Sequence, residues 1–452
     1  MKILTAIFLV MLSVSALTMS ARTARARATS GMTFAVNSTL DEIDAAPGDG
    51  KCRSTPSRKC TLRAAIMENN ALRGGNLIRL PAGTYILTLG DPAEPSENNG
   101  ARGDLDVLAR LTLRGAGRAK TIIDGAKNDR VFDLFHKTKI SRVTIQNGAT
   151  AENGGGIKVE PGGKLKLQNS IITSNQAGNG SGIYGGGNVI VKGSSVWYNY
   201  CANQAQQGGG IFVGYGAYIS QSRISYNCAD QGGGIFAADL ADVRLDVFIV
   251  ASTVDNNKAC EGGGIYTYTG GYVLNSTIAY NHANLGSGGT GEGGGVYDSS
   301  IIEDFAFYNA TFASNTAGVG GTAGGIYVAQ FENANLKNTI LDFNLPDDCE
   351  GTFTSQSYNL IYNPNGCNLS SDPSTQTGIH ADLQNLANNG GPTPTMALQS
   401  TSEALDAIPV NYCTWGGGNG ALTVDQRGKP RPADGDGNGK AKCDIGAYEV
   451  QP

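Results

Sequence analysis

The stretch Gly262-Gly263-Gly264-Ile265-Tyr266 decides the fold, because related stretches recur along the middle of the chain. Successive copies are separated by a second element that ends in Asn, at intervals of 24 to 34 residues: Asn175, Asn199, Asn227, Asn257, Asn281, Asn315 and Asn344. A large apolar residue stands three positions before each Asn, and a small residue five before it. A unit this short cannot bury an apolar core alone, so the repeat predicts a solenoid of stacked coils.

The solenoid is predicted to be all-β, a right-handed parallel β-helix. Glycine triplets and alternating β-branched residues oppose helix formation, which excludes the helical repeat classes. Short strands at this period stack as parallel coils about 4.8 Å apart, and parallel crossovers are generally right-handed. The repeated Asn is predicted at a tight corner, because Asn tolerates left-handed backbone geometry and its amides hydrogen-bond from coil to coil.

Composition limits the classes of function. The 452 residues include 64 Gly without a Gly-X-Y period, which excludes collagen, and 40% hydrophobic residues, which argues against wholesale disorder. Basic residues number 34 and acidic residues 39, for a formal net charge of −5. A net-acidic chain without a basic run predicts that neither nucleic acid nor an anionic membrane surface is the partner.

The N-terminal segment is typical of a secretory signal peptide. Lys2 precedes an apolar run over residues 3–17, and two Ala-x-Ala sites follow at 24–26 and 26–28. The run is shorter than the ~20 residues of a membrane anchor. We therefore predict a signal peptide over residues 1–28, a secreted or cell-surface location, and no membrane-spanning segment after cleavage.

The nine Cys of an exported chain predict disulfides. Spacing indicates four pairs: Cys52–Cys60, Cys349–Cys367, Cys413–Cys443 and, across successive repeats, Cys201–Cys228. Cys260 is then left over. The absence of any Cys-x-x-Cys pair and the presence of only three His argue against a zinc site.

A helix is predicted over residues 60–70, where it would cap the open edge of the first coil. The sequence Cys60-Thr61-Leu62-Arg63-Ala64-Ala65-Ile66 resembles the Cys-Ser-Leu-Arg-Glu-Ala (CSLREA) motif that begins many exported β-helix proteins. Thr61 replaces the Ser of that motif and Ala64 replaces its Glu, so any role of that Glu is absent.

The C-terminal part resembles the region called choice-of-anchor Q, in residues 388–395, 425–428 and 443–449. Together the two resemblances imply an exported protein of the pectin-lyase-like fold, without implying one reaction. We find no sorting signal of the kind that such proteins often carry. The expected layout is a signal peptide (1–28), an N-terminal cap (29–80), the β-helix (81–345) and a disulfide-bearing C-terminal region (346–452).

Aromatic residues that follow the repeat Ile or Val are the candidate glycan-binding residues. If each Ile points inward, the next side chain points outward, and six rings form a ladder on one face. Sugars stack on such rings; alternatively the rings stack on one another and stiffen the sheet, or a loop covers them. The six residues are Tyr184, Phe212, Phe236, Tyr266, Tyr297 and Tyr327.

Carboxylates in the variable loops are the candidate catalytic residues. Glu261 and Glu292 each directly precede a glycine triplet, and Asp230 lies one residue further back in its own copy. On adjacent coils the two Glu would lie roughly 5 Å apart, which is the separation of a retaining glycosidase pair. A solvated loop face and a cation site are the alternatives.

One acidic turn is the candidate metal site. The run Asp434-Gly435-Asp436-Gly437-Asn438-Gly439 resembles the opening of a calcium loop, with Asp434, Asp436 and Asn438 as ligands. Ile445 stands where such a loop carries its last Glu, so a hydrated turn without calcium is the alternative. No other cofactor is indicated.

The local motifs of known enzymes with this fold are missing. Polygalacturonase-like enzymes carry Asn-Thr-Asp, Gly-His-Gly and Arg-Ile-Lys, and this chain has none of them. We therefore expect a non-catalytic extracellular or cell-surface protein for adhesion or glycan binding, with a polysaccharide as partner. The alternatives are a polysaccharide lyase or glycoside hydrolase acting through loop carboxylates, and a purely structural envelope protein.

Overall fold

Three stacks of parallel strands build the protein, and each coil in the middle of the chain contributes one strand to each stack. A computed structural model describes residues 31–90, 99–200, 206–238, 246–284, 291–300, 304–330, 332–416 and 420–452. The predicted signal peptide and Cys201 lie outside these residues. Every pairing within the three stacks is parallel, as the coil repeat predicts.

The strands are grouped here by the sheet to which they belong. Sheet 1 contains Leu105–Val107, Phe132–Leu134, Ile157–Val159, Ile183–Gly185, Ile211–Val213, Ile235–Ala237, Ile265–Thr267, Val296–Asp298 and Ala323–Val328. Sheet 2 contains Thr33–Ala35, Asn76–Leu80, Leu111–Gly115, Lys137–Ser141, Lys164–Gln168, Asn188–Lys192, Ala217–Ser220, Val247–Val250, Gly271–Leu274, Phe305–Tyr308, Asn333–Lys337 and Cys367–Leu369. Sheet 3 contains Gly83–Ile86, Thr121–Asp124, Thr144–Gln146, Ile171–Thr173, Ser195–Trp197, Arg223–Ser225, Thr253–Asp255, Thr277–Ala279, Thr311–Ala313, Ile340–Asp342, Leu360–Ile361 and Gln376–Thr377.

A few elements lie outside this pattern. The strand Asp347–Ser357 pairs first with sheet 1 and then with sheet 2, which joins the two. Three short strands form a separate small sheet: Lys258–Ala259, His282–Ala283 and Thr316–Ala317. The helices are the α-helix Leu62–Ala71 and the 3-10 turn Val410–Tyr412. Parallel pairing runs from Thr33 to Thr377, on both sides of the boundaries expected at 80 and 345, which stay predictions.

The interior of the coils is a continuous apolar column. Ile183 aligns with Ile211, Ile211 with Ile235, and Ile235 with Ile265, and all four side chains are fully buried. They belong to one core cluster that extends from Phe34 to Ile361. The prediction that the repeat Ile points inward is therefore confirmed.

The glycine triplets fit where neighbouring coils approach most closely. Gly262 has φ of +60°, and a Cβ at Gly264 would lie 2.5 Å from the carbonyl oxygen of Gly295 in the next coil. No side chain fits such a contact, and only glycine adopts a positive φ without cost. The repeat therefore requires glycine at these positions for backbone reasons.

Two corners of each coil are closed by hydrogen-bonded ladders. At one corner, the Asn side chains bond from coil to coil: each Oδ1 accepts the backbone N–H of the preceding ladder Asn at 3.0–3.1 Å and its Nδ2 at 2.9–3.0 Å. At the other corner, Ser side chains do the same, as when the Ser194 Oγ accepts the N–H of Ser170 at 3.1 Å. The small column and the Asn ladder are both as predicted.

The expectation that the ladder Asn itself takes the left-handed conformation is wrong. The positive φ falls on the residue before it: Ser174, Tyr198, Tyr226, Asn256, Tyr280, Ser314 and Phe343, with φ between 50° and 58°. The reason is geometric, because the chain must reverse before the Asn side chain can turn inward and reach the next coil. The side-chain amide of the Asn then forms the hydrogen bonds of the ladder.

The α-helix caps the first coil as predicted. Thr61 is its N-cap, and its hydroxyl accepts the backbone N–H of Ala64 at 3.2 Å. Arg63 is fully buried, pairs with Asp41 at 2.7 Å, and donates to three backbone carbonyls of residues 100–104. Glu68 accepts the backbone N–H groups of Gly48 and Gly50. The Arg of the CSLREA-like motif thus fastens the helix to the first coil.

The C-terminal region packs along the outer face of sheet 3. Gln426, itself buried, accepts a hydrogen bond from the hydroxyl of Thr277 at 2.7 Å and donates one to that of Thr253 at 2.9 Å. The backbone N–H of Ala447 donates to Thr311 at 3.0 Å. A second apolar cluster, which includes Ile340 and Ile445, lies beneath this contact. The region therefore spans coils that are far apart in sequence.

Three of the predicted disulfides lie wholly within the described residues and are confirmed: Cys52–Cys60, Cys349–Cys367 and Cys413–Cys443. Cys228 is also disulfide-bonded, and its predicted partner, Cys201, is outside the described residues. Cys260 carries a thiol, and burial raises its pKa.

In the part of the chain that the structure describes, no helix has the length and apolar character needed to cross a membrane.

Candidate functional site

The outer face of sheet 1 carries one continuous column of polar and aromatic side chains. The column follows strand register from coil to coil and is called the outer column: Asp106, Asp133, Lys158, Tyr184, Phe212, Phe236, Tyr266, Tyr297, Tyr327 and Glu350. The six predicted aromatic residues are therefore adjacent and point away from the core. Five of them form a cluster separate from the interior apolar column, and Tyr327 extends it through its contact with Tyr297.

The rings of the outer column stack on one another. Ring centroids of successive coils are 4.5–5.4 Å apart, and the planes of Tyr266 and Tyr297 differ by only 5°. Phe212, Phe236 and Tyr266 are at most 4% exposed. Neighbouring rings cover both faces of each inner ring, so the inner rings follow the self-stacking alternative. A sugar could reach only the edges and hydroxyl groups of these rings. Their role as glycan contacts stays a prediction.

The tyrosines of the column stay protonated at neutral pH. Burial raises the pKa of Tyr266 far above its usual value, and a hydrogen bond with Tyr268 adds to the effect. Burial also raises the pKa of Tyr297, with a further contribution from Tyr327. These hydroxyls act as donors and acceptors and not as bases.

The predicted catalytic carboxylates lie beside the aromatic part of the column. Glu261 and Glu292 occupy equivalent places on adjacent coils, since their carbonyls accept the N–H groups of Gly232 and Gly262, each at 3.1 Å. In register, however, Glu261 aligns with Gln231 and not with Asp230, and Gln231 donates its side-chain amide to Glu261 at 3.1 Å. Glu261 thus ends a ladder of side-chain amides. Catalysis by these carboxylates stays a prediction.

The other end of the outer column is an acidic cluster that the sequence did not indicate. Carboxylate oxygens of Asp104, Asp106 and Asp133 lie within 4.8 Å of one another, and all three residues are buried. Burial raises the pKa of Asp133 to about 6, against the effect of Lys158, and burial together with Asp106 raises that of Asp104 well above its usual range. Arg130 pairs with Asp104 at 2.7 Å, so positive charge is already supplied at this cluster.

The outer face of sheet 2 has a different character, strongly basic and open. An open groove of about 670 Å³ lies along it. Its lining includes five exposed basic residues, called here the basic strip: Arg110, Lys137, Lys139, Lys164 and Lys166. Among the described residues none of the five pairs with a carboxylate. Their charges therefore face solvent and remain available to an anion.

Aromatic side chains continue the basic strip toward the C-terminal coils. The register runs from Lys139 to Lys166, then to Ile190, and then to the aromatic strip, which comprises Tyr218, Phe248, Tyr272 and the neighbouring Trp415. Tyr218 is 40% exposed. The rings of Phe248 and Tyr272 lie 4.6 Å apart and tilt by 39°, so their planes are less parallel than those of the inner rings of sheet 1. This face combines positive charge with accessible rings.

Sequence reasoning missed the basic strip because its residues come from three different coils. The Lys-x-Lys pairs at 137–139 and 164–166 are 27 residues apart, and neither forms a basic run. Only the register of sheet 2 places them side by side. The detectable signal was a period-two Lys pattern repeated at the coil interval.

The predicted calcium ligands lie close together. Asp434 and Asp436 approach a third carboxylate, that of Asp406, with oxygens within 4.8 Å of one another. Asn438 lies beside Asp436, to which its amide nitrogen donates at 2.6 Å. Asp406 is far away in sequence and was not predicted.

Comparison with known proteins supports the fold. No protein family model matches the chain, and no curated protein matches its sequence. Among solved structures, the crystal structure of pectate lyase Pel9A matches with a TM-score of 0.50 and 15% identity, over 92% of this chain and 97% of that chain. The chain is therefore a right-handed parallel β-helix protein, as predicted. Its resemblances to CSLREA-type and choice-of-anchor Q proteins stay predictions.

Proposed function

We propose that the protein is an extracellular or cell-surface binding protein for an acidic polysaccharide, and that the outer face of sheet 2 holds the polymer. The observation that carries the proposal is the basic strip, whose five cationic side chains are exposed and unpaired within the described chain. The disulfides of the protein are typical of an oxidising compartment. The fold it shares with a pectate lyase favours a polysaccharide as partner.

The spacing of the basic strip suits a regular polymer. Coils rise by about 4.8 Å, so cationic groups recur along the sheet at that interval. Single exposed ion pairs contribute only about 0.2–1 kcal/mol, and a polymer with regularly placed carboxylates engages several of them together. The aromatic strip then offers Tyr218 to a sugar ring, because exposed tyrosine faces bind the apolar face of carbohydrates while the hydroxyl stays in water.

The test measures binding of the full mature protein to polygalacturonate, to a neutral glucan, and to a DNA duplex, at low and high salt. The double variant Lys139→Glu/Lys166→Glu is expected to weaken polygalacturonate binding at least tenfold. The matched control, Lys51→Glu/Lys59→Glu, reverses two exposed charges in the N-terminal loops and is expected to change affinity less than twofold. High salt is expected to weaken binding, because exposed charges are screened.

Three results would contradict this proposal, and a fourth would contradict one part of it. Equal loss in the control variant would indicate a general charge effect. Equal affinity for the neutral glucan would remove the basic strip from recognition, and tighter binding of DNA would change the class of partner. Retained affinity in Tyr218→Ala would restrict the site to the basic strip and contradict the part given to the aromatic strip.

The alternative of a polysaccharide lyase rests on Lys158, which lies beside the acidic cluster. A lyase needs a base that removes a proton from the uronate ring. Burial lowers the pKa of Lys158, but contacts with Glu160 and Asp133 outweigh it and raise the pKa overall. These two ion pairs favour the protonated form of Lys158, whereas a base must be neutral, so they count against the lyase alternative. Unsaturated products from polygalacturonate that disappear in Lys158→Ala would establish the lyase instead.

A further inference from the structure

We propose that Asp406, Asp434 and Asp436 form a calcium site that fastens the turn at residues 434–440 to the C-terminal region. The three carboxylates lie on two segments about 30 residues apart in sequence. Their nearest oxygens are within 4.8 Å of one another. Calcium binds oxygen at about 2.3–2.6 Å, so two ligands of one ion are at most about 5 Å apart. The spacing therefore matches a shared ion.

The first independent observation is a buried carboxylate oxygen that no group satisfies. Asp406 is only 4% exposed, and its Oδ1 has no hydrogen-bond partner. The Oδ1 of Asp434 is buried and equally unsatisfied. An unpaired buried carboxylate is costly, and such groups are normally paired or coordinate a metal. Both oxygens belong to carboxylates of the cluster, and a shared cation would satisfy them together.

The second observation is the way the backbone holds the remaining oxygens. The Oδ2 of Asp406 accepts the backbone N–H of Asp436 at 2.9 Å, and the Oδ2 of Asp434 accepts that of Gly439 at 2.9 Å. These bonds fix one oxygen of Asp406 and one of Asp434 and leave the other for a ligand, while both oxygens of Asp436 accept hydrogen bonds from Asn438. Gly437 and Gly439 have positive φ, which lets the turn fold back toward Asp406.

The charges around the cluster favour a divalent cation. Asp444 lies next to it and accepts the backbone N–H of Asp406 at 2.7 Å. Among the described residues, no Lys, Arg or His forms an ion pair with Asp406, Asp434 or Asp436. The nearby Arg431 forms an ion pair with Glu449 at an N···O distance of 2.8 Å, and both side chains are fully buried. This distinguishes the site from the acidic cluster of sheet 1, where Arg130 and Lys158 already supply positive charge.

Hard oxygen ligands and irregular geometry select calcium over transition metals, which prefer nitrogen or sulfur. The three carboxylates would supply three ligands, and water and turn carbonyls would complete the shell. The ligand set adds Asp406 to the two Asp residues expected from the turn sequence, and Asn438 is hydrogen-bonded to Asp436. Binding would join the turn to the segment at 406, close to the Cys413–Cys443 disulfide.

The test uses the full mature protein, stripped with a chelator and titrated with calcium by calorimetry, with the melting temperature followed in parallel. Asp406→Asn and Asp436→Asn are each expected to weaken calcium binding at least about tenfold and to abolish the calcium-dependent rise in melting temperature. Asp436 is exposed, so its variant is expected to fold even if the buried Asp406 variant does not.

Two control variants separate this site from other acidic groups. Asp372→Asn removes a carboxylate that caps a turn of similar type through Ser374, and it is expected to keep the full calcium response. Asp133→Asn alters the acidic cluster of sheet 1 and is expected to keep it too. Calcium binding that survives in Asp436→Asn, or that is lost only in Asp133→Asn, would overturn the proposal.

Discussion

At the scale of single residues, the most informative side chain is Asp298, a carboxylate placed where other coils carry core residues. It occupies the register position of Thr267 and Val328 in sheet 1 and is fully buried. One oxygen accepts bonds from the N–H and hydroxyl of Ser300, while the other has no partner. Burial raises the pKa of Asp298 to about 7, which means that the folded protein prefers the protonated acid.

The substitution Asp298→Asn is expected to stabilise the protein at pH 8. Because the pKa is raised on folding, the protonated group contributes stability that is present below about pH 4 and lost as the pH rises through about 7. Asn is a neutral isostere of the protonated acid. The variant should gain on the order of 2 kcal/mol at pH 8 and converge with the parent near pH 4.

Urea denaturation at both pH values measures this difference. Asp49→Asn, which removes an exposed carboxylate, serves as the control and should leave the pH dependence unchanged. A variant that is less stable than the parent at pH 8 would show that the charge of Asp298 is needed and that the burial argument is wrong.

At the scale of repeated elements, the Asn ladder carries the hydrogen bonding of one corner. Asn257 shows the pattern: its Oδ1 accepts two bonds from Asn227, and its Nδ2 donates to Asn281 and to the carbonyl of Ile224. The ladder ends at Asp348, whose Oδ1 takes the place of the next amide oxygen. Burial raises the pKa of Asp348 to about 6, although bonds from Asn363 and Asn344 oppose this.

Asn257→Ala is expected to destabilise the β-helix by on the order of 3 kcal/mol, because it leaves a buried backbone N–H at Asn227 and a carbonyl at Ile224 without partners. The free energy of unfolding by urea checks the value. Asn368→Ala is the matched control: Asn368 is exposed on a strand of sheet 2 and should cost less than about 0.5 kcal/mol. Similar losses in both variants would mean that the ladder adds no more than a surface amide.

The sequence predicts those features that repeat, since a repeat samples the same physical constraint many times. The inward Ile, the Asn ladder, the column of small residues and the parallel coils could be derived because seven copies align. The positive φ before each ladder Asn could not, because residues as different as Ser174, Tyr198 and Phe343 adopt it. Geometry imposed by the next coil overrides residue preference there.

The candidate sites were less predictable, because they join residues from distant coils. The basic strip depends on the register of three coils, and Asp406 meets Asp434 only through the fold of the C-terminal region. The aromatic ladder was predictable from alternation, but the stacking of its faces was not. Whether rings pack against each other or stay open depends on the angle of each ring, which no spacing specifies.

At the scale of the whole molecule, the C-terminal region acts as a brace across the coils. In a solenoid each coil contacts only its neighbours, so single coils can open independently. The brace contacts Thr253 and Thr277 through Gln426, Thr311 through Ala447, and Asn338 through Gly446. These contacts join four successive coils and should make them open together.

Gln426→Ala is expected to weaken this brace without unfolding the β-helix. The buried hydroxyls of Thr253 and Thr277 lose their amide partner, and the segment around residues 393–395 loses the bond to Thr393. Hydrogen exchange should therefore become at least about tenfold faster in residues 393–395 and 424–428, while amides of the buried strand Ile235–Ala237 keep their protection. Gln451→Ala removes a half-buried glutamine whose side chain, among the described residues, bonds to the carbonyls of Pro430 and Glu449, and it should change neither region. Faster exchange throughout sheet 3 would mean that the brace is required for the coils to form, whereas unchanged exchange at 393–395 would mean that Gln426 does not hold it in place.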